Sequence, residues 1–92
     1  MSGHKTPETK VTAELALKVY QRVVDHGDRS NGVYEHRGIQ VIADADGYGV
    51  ALTDGIVTVR VLFHNRVAID TPNSRSLMRF RKRLAAIDAQ HD

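Results

Sequence analysis

The sequence predicts an α+β domain: an N-terminal helix, an antiparallel β-meander of three to five strands and a C-terminal helix, with both helices on one face of the sheet. Three observations predict it. Apolar residues recur at helical spacing near both ends, as Leu15, Val19 and Val23 and as Leu77, Phe80, Leu84 and Ile87. Between them, apolar and polar residues alternate with the period of a strand, through Tyr48, Val50 and Leu52 and through Val57, Val59 and Val61. Two Asp-Gly pairs, Asp46-Gly47 and Asp54-Gly55, punctuate that region with residues suited to hairpin turns.

The first helix is expected over residues 12–26. Ala16 and Tyr20 flank its apolar stripe, while Lys18, Gln21, Arg22 and Asp25 fall mainly on the other side. Gly27 is expected to close the helix in a left-handed conformation. Residues 28–32 (D-R-S-N-G) read as a loop, and residues 33–36 as a short edge strand before Arg37-Gly38. A two-residue turn at Asp54-Gly55 pairs Leu52 with Val57, Val50 with Val59 and Tyr48 with Val61. One at Asp46-Gly47 pairs Ala43 with Val50 and Val41 with Leu52. The two turns agree in placing these apolar residues, with Ile39, on a single face. A three-residue connection at residues 64–66 pairs Phe63 with Val67 and Val61 with Ile69, with Asn65 or Arg66 left-handed, and sets Arg60 opposite Asp70. Thr71 as cap and Pro72 as first residue then begin a helix over residues 72–88. One domain, residues 11–89, results. Residues 1–10 read as a flexible polar arm and residues 90–92 as a frayed end.

Composition narrows the class. With 41% apolar and 26% charged residues, the chain fits a globular domain. The absence of cysteine excludes disulfides and thiolate chemistry and suits a reducing cytoplasm. No apolar run approaches the roughly 18–20 residues of a membrane span, and the first ten residues lack the apolar core of a signal peptide.

Charge is unevenly spread. Of the 13 Lys and Arg residues, five fall within residues 75–83, leaving eight elsewhere against all 11 acidic residues. Arg75, Arg79, Lys82 and Arg83 share one helix face, and Arg81 flanks the apolar stripe, where its stem can cover the core edge. That face suits phosphate contacts and thus nucleic acid, or it is a solvated face that keeps the domain soluble. Aromatic platforms for bases are scarce, because Tyr48, Phe63 and Phe80 are expected in the core and only Tyr34 to be free.

Motifs for chemistry are missing. His4, His26, His36, His64 and His91 follow no metal-binding spacing, so neither a metal nor a cofactor is expected. Asp44-Ala45-Asp46-Gly47 fails as a calcium loop, since Ile42 and Thr53 stand where carboxylates are required. There is no nucleophile elbow and no phosphate-binding glycine loop. His64 near Asp70 or Asp44 is the remaining acid–base alternative to a non-catalytic protein.

The outward sheet face is more informative. It carries Gln40, Ile42, Gly49, Ala51, Thr53, Thr58, Arg60, Leu62 and Ala68, of which Ile42, Gly49, Ala51, Thr58, Arg60 and Leu62 form the expected interface. Small residues permit close approach of a second surface, and an edge strand at residues 67–70 or 33–36 offers pairing by strand addition. The expected function is a binding module that self-associates as a homodimer or docks a protein partner. The acidic turns (Asp44, Asp46 and Asp54) and the basic helix then provide charge complementarity. Nucleic-acid binding by Arg75, Arg79, Lys82 and Arg83 is the alternative.

The stretches Asp46-Gly47-Tyr48, Asp54-Gly55-x-Val57, Phe63-His64-Asn65-Arg66 and Pro72-Asn73, within residues 33–88, resemble a family of short gammaproteobacterial proteins of unknown function. The resemblance implies a bacterial cytoplasmic protein and brings no activity or site residue with it.

Overall fold

A computed structural model describes residues 11–43, 49–62 and 66–89. The order is α1 (Ala13–His26), β1 (Asp28–Ser30), β2 (Val33–His36), β3 (Ile39–Ala43), β4 (Gly49–Thr53), β5 (Thr58–Leu62), β6 (Arg66–Asp70) and α2 (Ser74–Asp88). The strands form one antiparallel meander in sequential order, so β1 and β6 are its edges. No helix among the described residues is long and apolar enough to cross a membrane. The expected arm at residues 1–10, the frayed end at residues 90–92, the turn at Asp46-Gly47, and the positions of Tyr48, Phe63 and His64 lie outside the described residues.

Both helices begin with a side-chain cap. Thr12 Oγ1 accepts a hydrogen bond from Leu15 N at 3.1 Å, satisfying one of the free amides of the first turn. At α2 the cap is Asn73, not Thr71. Asn73 Oδ1 accepts from Ser76 N at 2.8 Å, while the Thr71 hydroxyl donates to Asn73 O. Asn is the stronger N-cap residue, and Pro72 therefore precedes the helix instead of opening it. Gly27 also differs from expectation, with φ −87° and ψ 172°, which is extended backbone. Its requirement is space: a Cβ there would lie 2.5 Å from both Val23 O and Glu35 O.

The sheet has six strands instead of three to five. The extra edge arises because Asn31 and Gly32 both take positive φ (53° and 81°) and fold residues 28–36 into a hairpin. Arg37 and Gly38 do the same between β2 and β3 (52° and 85°). The β3–β4 register agrees with the expected one, with Ala43 opposite Val50 and Val41 opposite Leu52. The other two registers are displaced by two residues. Leu52 pairs with Val59, not Val57, and Val61 pairs with Val67, not Ile69. Arg66 belongs to β6, and Arg60 faces Ala68 while Asp70 faces Thr58, so no Arg60–Asp70 cross-strand pair forms.

The β4–β5 displacement has a local cause. Asp54 Oδ1 accepts from Ile56 N at 2.9 Å and Val57 N at 2.8 Å, so the connection holds four residues. Thr53 Oγ1 donates to Val57 O and accepts from Gly55 N and Thr58 Oγ1, fixing the strand ends around it. An even displacement keeps every side chain on its original face, so the core survives the error. That core joins Ala16, Val19 and Val23 of α1, Leu77, Phe80, Leu84 and Ile87 of α2, and Ile39, Val41, Leu52, Val59 and Val61 of the strands. Phe80, Leu84 and Ile87 are fully buried.

Candidate interaction surfaces

The strand period puts one set of residues on the side opposite the core. Ile42 lies across from Ala51 and Ala51 across from Arg60; Gly49 lies across from Leu62, and Thr53 from Thr58. The six expected interface positions therefore adjoin in one patch. Ile42 and Arg60 are exposed, whereas Gly49, Ala51, Thr58 and Leu62 are half-buried. Ile42 keeps 41% of its surface open, at the centre of the sheet, where its neighbour Ala51 is too small to cover it. Towards β1 the face turns acidic, with Asp28 and Glu35 beside a depression that Val33, Gln40 and Ile42 also line. Towards β6 it carries Arg60, Arg66 and Asp70.

The basic face of α2 is a second surface. Arg75, Arg79, Lys82 and Arg83 are all exposed, and Arg81 at the edge of the stripe is half-buried, as its position predicts. One of the four also supports the fold. Arg83 Nη1 donates to Arg37 O at 3.2 Å, fastening α2 to the β2–β3 turn. The turn comes so close that a Cβ on Gly38 would lie 2.6 Å from Arg83 Nη1. The backbone of Arg37, itself an exposed residue, is thereby held beside the basic face from 46 residues away in sequence. No spacing rule points to it.

Aromatic and histidine positions depart from expectation. Tyr34 is half-buried against the core, and the Arg29 guanidinium lies 5.9 Å from its ring centroid, so it is not a free stacking platform. His26 and His36 come together with ring centroids 6.2 Å apart, where α1 ends beside the end of β2. Among the described residues, no three His, Asp or Glu side chains gather as a metal site.

No curated protein and no solved structure matches the chain. A family match covers residues 11–92, a wider span than the resemblance in the sequence marked out, and the chain belongs to that family, the proteins of unknown function DUF3081.

Proposed function

We propose that the chain is a non-catalytic binding module that docks a protein surface, of a second copy or another chain, on the outward face of its sheet. In this reading both helices roof the opposite face. Their buried residues share one cluster with the inward strand residues and with Val11 and Val57, which supports that arrangement. The observation that carries the reading is the merging of Ile42, Gly49, Ala51, Thr58, Arg60 and Leu62 into one patch, with small Ala51 at its centre and an open isoleucine on its β3 side. A flat, weakly polar surface with small side chains lets another surface approach closely and release water from apolar area. The setting we assign is a bacterial cytoplasm, from the resemblance noted above and the absence of cysteine.

Crosslinking of the purified protein, alone and with its bound partners, tests this. Crosslinks and protection from hydrogen exchange should fall on β3, β4 and β5, and Ile42→Glu should abolish them while leaving the melting transition in place. A partner that binds Ile42→Glu as well as wild type overturns the reading.

One observation favours a second reading, in which nucleic-acid phosphates bind the basic face. The Arg37 backbone is held at the Arg83 end of α2, which sets an exposed arginine on the turn next to that helix. Each phosphate neutralised releases counterions, so affinity should fall steeply with salt. Arg79→Ala should reduce the slope of log K against log salt by roughly one, with little preference between sequences. Absence of salt-dependent binding at low ionic strength removes this reading.

A further inference from the structure

We infer that β6 is a self-complementary edge: two copies of the chain pair antiparallel along it, about a two-fold axis at Ala68, joining their sheets into one. The partner is a second copy, and the contact runs along the β6 edge, outside the six-residue patch centred on β4 and β5. The inference narrows the binding-module reading to one partner, and the two can fail separately.

β6 hydrogen-bonds to β5 on one side and forms the sheet edge on the other. Its sequence, Arg66-Val67-Ala68-Ile69-Asp70, is antisymmetric in charge about its centre. Read backwards it offers minus, apolar, small, apolar, plus, which is the complement an antiparallel neighbour must present. Pairing about Ala68 sets Arg66 opposite the partner's Asp70 and Asp70 opposite the partner's Arg66, on the outward face. It also sets Val67 opposite the partner's Ile69, and the reverse, on the core side. Both kinds of cross-strand pair are favourable.

The free chain leaves these groups unmatched. Among the described residues, neither the Arg66 nor the Asp70 side chain makes a hydrogen bond or an ion pair. Ile69 points to the core side yet is 41% exposed. No proline interrupts β6, although exposed edges are commonly blunted by one. Register is selective as well. A slip of one residue sets a charged residue opposite an apolar one and turns the two core faces to opposite sides of the joined sheet, and a slip of two removes both ion pairs. A two-fold contact of this kind closes on itself and stops at a dimer.

The other edge does not share this property. β1 reads Asp28-Arg29-Ser30, and pairing it with itself brings Arg29 against the partner's Arg29.

Charge reversal tests the register. Sedimentation of wild type should show a concentration-dependent dimer. Arg66→Asp alone and Asp70→Arg alone should each weaken it at least about tenfold, because like charges then face each other twice. Mixing the two variants should restore association, since each supplies the sign the other lacks. The double variant Arg66→Asp/Asp70→Arg should dimerise by itself. Both positions are exposed, so the single variants should fold, and the mixing experiment checks that they have. Wild type that stays monomeric at about 1 mM overturns the inference. So does a dimer that both reversals leave intact. In that case, loss of association with Ile42→Glu would move self-association to the sheet face and leave the docking reading standing.

Discussion

The β2–β3 and β4–β5 turns each contain a glycine at positive φ, yet they work differently. Between β2 and β3, Arg37 and Gly38 are both left-handed, and the two-residue turn follows from backbone geometry. Between β4 and β5, Gly55 alone is left-handed (97°), and the Asp54 carboxylate holds Ile56 and Val57 in the connection. The first turn is specified by which conformations a residue tolerates, the second by where a side chain finds its partners. An Asp-Gly pair therefore marks the place of a hairpin without fixing its length.

Gly38→Ala should break the geometric turn most severely. A Cβ at φ 85° is strained, and it also meets Arg83, so the loss should be about 2 kcal/mol in urea unfolding. Asp54→Ala should cost about 1 kcal/mol by freeing two amides, and Asp54→Asn should recover part of it by keeping an acceptor. An unchanged midpoint for Asp54→Ala would mean that the carboxylate does not set this turn. The smallest effect sharpens the contrast. Arg83→Ala should lower stability by roughly 0.5 kcal/mol, and in its background Gly38→Ala should cost less than it does in wild type, leaving strain alone.

Much of the fold was legible because faces are more robust than registers. Leu77, Phe80, Leu84 and Ile87 repeat at helical spacing and are the buried residues of α2. Val50, Val59 and Val61 alternate, and all three stay on one side despite the two-residue slips. The same parity makes the expected interface positions neighbours. What was missed lacked an apolar pattern. Asp28, Arg29 and Ser30 are all exposed, so no alternation marks β1, and only Asn31-Gly32 announces its hairpin. Arg37 was missed because its place beside α2 depends on a tertiary contact. The charge symmetry of β6 is visible in five letters, but it gains meaning only once that strand is known to be an edge.

Gly27 sets the clearance between two layers of the molecule. With carbonyl oxygens of α1 and β2 both bordering the space a methyl would fill, the end of the helix rests on the strand with bare backbone between them. The gap at that corner admits no shim. A larger residue there would have to prise the end of α1 away from β2, loosening the seat of His26 beside His36 without touching a single core side chain.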